Sequence, residues 1–112
     1  GARFENMVAS HLLKYCHYLT DRGDGYFELC YLRNKEKKEI DFLILKDNRP
    51  WLPIEVKNQQ TALSDNWPAF MRYLSCPQAV QLVNKPDIHM IYEKPYGKIL
   101  VVSAQDFFRY LI

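Results

Sequence analysis

Glu39-Ile40-Asp41-Phe42-Leu43-Ile44-Leu45-Lys46 and Trp51-Leu52-Pro53-Ile54-Glu55-Val56-Lys57-Asn58-Gln59 read as two short apolar strands carrying charges where a buried strand should have none. Asp41 interrupts one apolar run, and Glu55 and Lys57 flank Val56 in the other. A buried carboxylate is costly unless it is paired, hydrogen-bonded or metal-bound. The simplest single reason for three such charges is convergence on a divalent cation. Residues two apart in a strand share a face, so Glu55 and Lys57 point one way and Ile54 and Val56 the other. Asp41 reaches that face only if odd residues oppose odd residues, with Asp41 opposite Glu55 or Lys57. A plain four-residue loop over Asp47-Asn48-Arg49-Pro50 gives the wrong parity. An odd-length loop or a β-bulge is therefore expected, and Pro50 and Pro53 suit either.

Residues 3–20 read as a helix, with Phe4, Val8, Leu12, Tyr15 and Leu19 at steps of three and four and Ala9, Leu13 and Cys16 widening the stripe. Glu5 is the odd member, lying along one apolar face with Val8, Ala9, Leu12 and Cys16, and is expected to point toward the sheet. The plainer reading is a first-turn acid favoured by the helix dipole. His11 and His17 read as surface residues. Asp21-Arg22-Gly23-Asp24-Gly25 is a turn that lacks the further ligands of a calcium loop. Tyr26 to Arg33 reads as a strand near the sheet centre. Arg33, Lys35, Lys37 and Lys38 lie between strands, mixed with Glu36 and Glu39. They could hold phosphates; a solvated charge-mixed loop is the bland reading.

A second helix is expected from Ser64 or Asp65 to Leu74, with Ser64 as N-cap, Pro68 in its first turn and Trp67, Phe70, Met71 and Leu74 buried. Strands follow at 79–83, 88–92 and 99–102. Lys94-Pro95-Tyr96-Gly97 forms a turn, and Ser103 caps a last helix over 104–111. His89 reads as a satisfied structural histidine. Trp51 and Trp67 read as packing residues, though either could stack a base. The order α-β-β-β-α-β-β-β-α implies an α/β fold, a central mixed sheet flanked by helices.

The set of helix Glu5, strand Asp41 and strand Glu55-Val56-Lys57 with Gln59 following resembles the PD-(D/E)xK nuclease core. Gly1-Ala2-Arg3-Phe4-Glu5-Asn6-Met7-Val8-Ala9 and Glu39-Ile40-Asp41-Phe42 resemble the uncharacterised C-terminal domain of prokaryotic AAA-type ATP-binding proteins. The two resemblances imply a restriction-endonuclease-like core on a chain that also carries an ATPase module. They imply a Mg²⁺ or Mn²⁺ ion held by Asp41, Glu55 and the Val56 carbonyl, with Glu5 at a second metal or its waters. Lys57 would steady the attacking water or the phosphorane, and Gln59 would orient Lys57 or reach a phosphate. The implied activity is phosphodiester hydrolysis in DNA. A catalytically silent fold used for DNA binding or protein docking, and a domain that dimerises through exposed apolar strands or its terminal helix, stay open beside it.

With 112 residues the chain suits one domain over 1–112. It opens on Gly-Ala-Arg rather than Met and is expected to be a fragment of a longer chain. A hydrophobic content of 48% excludes disorder. No apolar run suits a membrane span and no signal peptide is seen, so a cytoplasmic protein is expected. Net charge of +2 is too small to argue for nucleic acid. Cys16, Cys30 and Cys76 have no metal-type spacing and read as reduced thiols. No Walker-type loop is present, so nucleotide binding of that kind belongs elsewhere.

Overall fold

The computed structural model describes residues 2–31 and 42–111. Asp41, Glu39, Arg33, Lys35, Lys37 and Lys38 lie outside the described residues. Over the described part the elements are α1 (Ala2–Arg22), β1 (Phe27–Tyr31), β2 (Phe42–Lys46), β3 (Arg49–Lys57), α2 (Trp67–Leu74), β4 (Gln78–Val83), β5 (His89–Lys94), β6 (Gly97–Ser103) and α3 (Ala104–Leu111). The expected α-β-β-β-α-β-β-β-α order is the observed one.

The strands form one mixed sheet in the order β1-β2-β3-β4-β6-β5. β2 runs antiparallel to both β1 and β3. β4 lies parallel to both β3 and β6. A parallel neighbour needs a crossover, and α2 supplies the one from β3 to β4. The aromatic-rich Phe27–Tyr31 segment is an edge strand, not a central one. Its apolar residues are accounted for by α1, which covers one face.

Strand alternation divides the core in two. Phe42, Ile44, Ile54, Val80, Leu82 and Val102 meet Phe4, Val8, Leu12, Cys16 and Leu19 of α1 and Phe107 of α3. On the other face Ala79, Val83, Ile99 and Val101 meet Trp67 and Met71 of α2. Trp67 is fully buried, so it is a packing residue that no base can reach. Trp51 packs edge-on against Phe27, with ring centroids 5.2 Å apart.

The β2–β3 connection resolves the parity question. Asp47 and Asn48 both adopt positive φ, at 51° and 66°, and form a two-residue hairpin turn. Lys46 opposes Arg49 and Leu45 opposes Pro50. The register then shifts, and Ile44 opposes Leu52 and Phe42 opposes Ile54. The expected bulge is present, and beyond it even residues oppose even ones. Leu43 opposes Pro53 in the same register, so odd residues oppose odd ones as well. Pro53 is tolerated because the β3–β4 ladder begins one residue later, at Ile54↔Val80.

Several local expectations are corrected. α2 starts at Trp67 with Asn66 before it, and no side chain caps it. The Ser64 hydroxyl is committed elsewhere, as described below. The Ser103 Oγ accepts a hydrogen bond from the Ile88 N–H at 2.8 Å, joining β6 to the start of β5. His89 is exposed, because β5 is the other edge of the sheet. His17 is exposed as expected, whereas His11 is half-buried and stacks on Phe108 with centroids 4.6 Å apart.

Gly97 closes the β5–β6 hairpin at φ +147°, where a Cβ would lie 2.7 Å from the Pro77 carbonyl oxygen and 2.5 Å from Met71 Cε. The methionine can move, but the β4 approach cannot. Gly97→Ala is expected to destabilise the domain by about 1–3 kcal/mol, read from urea midpoints.

The cysteines are free thiols. Burial, with Cys30 adding a smaller effect, pushes the Cys16 thiol from 9.0 up to about 11. A raised folded-state value favours the protonated thiol. Its contribution to stability is therefore complete below pH 9 and lost as pH climbs through about 11. Thiol alkylation followed by mass spectrometry at mildly alkaline pH should mark Cys30, which is only half-buried, well before Cys16 or Cys76.

Candidate functional site

β3 delivers Glu55 and Lys57 to the sheet face covered by α2, while Ile54 packs into the opposite core. Glu55 is only 1% exposed. Its Oε1 accepts from Lys57 Nζ at 2.8 Å, from Ser64 Oγ at 3.0 Å and from Asn66 Nδ2 at 3.5 Å. Its Oε2 is buried and has no hydrogen-bond partner among the described residues. Leaving such an oxygen unpartnered costs about 1–3 kcal/mol, and more for a charged group. The Lys57 side chain is 27% exposed, so its ammonium links the buried acid to the surface.

Directly across the ladder from Glu55 stands Gln81 of β4, which is fully buried. Its Oε1 accepts from the Ser64 N–H and from Trp67 Nε1, both at 3.0 Å. Its Nε2 donates to the Ala62 carbonyl at 2.9 Å. Glu55 and Gln81 thus pin both the segment between β3 and α2 and the first residue of α2. Ser64 donates its hydroxyl to Glu55 and its N–H to Gln81, and its Oγ accepts from the Asn66 N–H at 3.3 Å, just ahead of α2.

Glu5 does not join this group. It is exposed on α1, the helix that packs on the face opposite the Glu55 side chain. The buried line of α1 runs through Phe4, Val8, Leu12, Cys16 and Leu19, one step round from Glu5. Gln59 lies exposed beyond the end of β3. Val56 sits between Glu55 and Lys57, half-buried against the α1 core. Asp41 lies outside the described residues. Among the described residues no group of three His, Cys, Asp or Glu gathers as a metal cage. The orphaned Glu55 Oε2 is nonetheless the kind of atom a cation would satisfy.

The sequence reading missed Gln81, Ser64, Asn66 and Trp67 as parts of the site. Gln81 carried a signal: it is the one polar residue in Ala79-Val80-Gln81-Leu82-Val83, the same anomaly that singled out Asp41 and Glu55.

Fold and site define a mixed α/β domain whose sheet buries an acid, paired with a partly exposed lysine, beneath a crossover helix. The chain belongs to the family described as a domain of unknown function, DUF4143, whose model matches residues 1–95. No curated protein and no solved structure matches it. No helix among the described residues is long and apolar enough to cross a membrane.

Proposed function

We propose that the domain is a nuclease-like module that hydrolyses phosphodiester bonds in DNA with Mg²⁺ or Mn²⁺. The observation that carries this reading is the buried, unpartnered Glu55 Oε2 beside a lysine that holds the other oxygen of the same carboxylate. Glu55 and the Val56 carbonyl would hold the ion, together with Asp41, the acid that precedes β2 in the sequence. Oxygen ligands of this type suit a hard divalent cation. When bound, the ion supplies positive charge at the scissile phosphate and lowers the pKa of a coordinated water.

The protein's own residues do the positioning. Glu55 Oε1 fixes the Lys57 ammonium at the end of β3, where it can donate to a phosphate oxygen or to the attacking water. Ser64 and Asn66 fix Glu55 in turn. Gln81 keeps Ser64 in place without adding charge. Glu5 is exposed on α1, over the sheet face opposite the Glu55 side chain, and is given no part in holding the ion. The exposed Gln59 and the basic set Arg33, Lys35, Lys37 and Lys38 would meet the nucleic-acid backbone. Domains of this family often lie at the C-terminus of AAA-type ATPases, which supports an ATPase module on the parent chain.

A second reading rests on a specific observation. Glu55 Oε1 already accepts from three donors, two of which, Ser64 and Asn66, tie down the segment before α2. A catalytically silent nuclease-like fold, serving DNA binding or protein docking, would keep such an anchor. Incubation with single- and double-stranded DNA and Mg²⁺ or Mn²⁺ separates the two. Metal-dependent cleavage that EDTA and Glu55→Gln both abolish is the expected result. Salt-sensitive DNA binding with no cleavage under either metal would overturn the enzymatic reading in favour of the silent one.

A further inference from the structure

We infer that the outer edge of β5, unpaired among the described residues, is a self-association surface, on which a second copy of the chain pairs its own β5 antiparallel about a two-fold axis. This does not rest on the Glu55 site, which lies across the sheet on β3.

β5 is the end strand of the sheet. It pairs with β6 without a break from His89↔Val102 to Lys94↔Gly97. Natural edge strands are commonly blunted by a proline, a bulge or short length. The six residues His89-Met90-Ile91-Tyr92-Glu93-Lys94 contain neither a proline nor a register shift. Ile91 is 58% and Met90 37% exposed.

The hairpin geometry decides which backbone groups are free. In a two-residue hairpin the closing pair, here Lys94 and Gly97, exchanges hydrogen bonds, and bonded pairs then recur at every second residue. The bond from Ser103 N to Ile88 O fits the same even-numbered series. The N–H and C=O groups of His89, Ile91 and Glu93 therefore point away from β6, toward a prospective partner.

Only registers that oppose odd residues to odd residues use these groups; centring on His89 or Glu93 sets that residue against its own counterpart, and the registers centred on Met90, Ile91 and Tyr92 are the ones to compare. With Ile91 opposite Ile91 of the second copy, His89 opposes Glu93 and Met90 opposes Tyr92. About six backbone hydrogen bonds form, an apolar pair occupies the axis, and a base faces an acid on each side. Sliding one way sets Ile91 against His89 and Glu93 against Asp87, a like-charge pair. Sliding the other way sets Ile91 against Glu93 and His89 against Pro95, which has no N–H to donate. The strand is self-complementary in the first register alone. Glu93 already lies 3.4 Å from Lys98, but both side chains are largely exposed and that pair is readily exchanged.

Sedimentation velocity of the whole chain, from micromolar to millimolar concentration, is the test. A monomer–dimer equilibrium is expected. Ile91→Pro should abolish the dimer and leave the fold intact by circular dichroism, because the donor it removes is one that points outward. In a Cys30→Ser background, Ile91→Cys should cross-link copies on mild oxidation and Met90→Cys should not, since only Ile91 meets its own counterpart. A wild type that stays monomeric at millimolar concentration overturns the inference. So does a dimer that survives Ile91→Pro, or one that cross-links through Met90→Cys but not Ile91→Cys.

Discussion

Gln81→Leu is expected to cost about 3 kcal/mol of stability, although it replaces a fully buried residue with an apolar one of similar size. The side chain satisfies three groups at once: the Ser64 N–H, the Trp67 indole N–H and the Ala62 carbonyl. Leucine leaves all three without their partner in a closed space. Each unsatisfied buried group costs about 1–3 kcal/mol, and some relaxation toward solvent at Ala62 reduces the sum. At roughly 4–8 °C per kcal/mol for a domain near this size, the melting temperature should fall by more than about 10 °C. Trp67→Phe removes one of the two donors to Gln81 Oε1 and keeps most of the packing. It should cost less than half as much. Equal losses for the two variants would mean that α2 packing, not the Gln81 network, holds the crossover in place.

Lys57→Ala is expected to lower the rate of metal-dependent DNA cleavage by about 10²–10³-fold, the usual cost of removing one fixed electrostatic donor. Ion binding should survive, because Lys57 contributes no ligand. Removing the ammonium leaves Glu55 with Ser64 and Asn66 on Oε1 and should make the site more attractive to a cation. A stability loss larger than that of a surface pair should accompany it, since Glu55 is 1% exposed and loses its counter-charge, with only two neutral donors left on Oε1. A fall in rate with unchanged or tighter Mn²⁺ affinity is the signature of Lys57 acting on phosphate or water. Parallel loss of both would make Lys57 a structural partner of Glu55.

The order of elements was legible because each helix and strand keeps its own period. Parity alone called for an odd-length loop or a bulge between β2 and β3, and the bulge is what forms: two strands with charges on one side of each can join only in certain registers. The edge position of β1 was not, since a strand covered by α1 has the same apolar content wherever it stands in the sheet. Glu5 was misplaced by one position on the helix wheel, about 100° of rotation, because a wide stripe does not fix its own centre. Ser64 and Ser103 have cap-like spacing, yet both hydroxyls make tertiary bonds that no local pattern encodes. Gln81 was visible as a polar residue in an apolar strand. Its partners come from a segment 17 and 19 residues away, which the sequence alone does not bring together.

A crystal soaked in Mn²⁺ and measured for anomalous scattering tests the central claim most directly. The expected result is a peak bonded to the Glu55 Oε2 that has no hydrogen-bond partner among the described residues, absent from Glu55→Gln crystals. A Glu55 side chain that keeps Lys57, Ser64 and Asn66 on Oε1 with no peak at Oε2 at saturating Mn²⁺ would contradict it, and would leave the acid–lysine pair as an anchor of the crossover to α2.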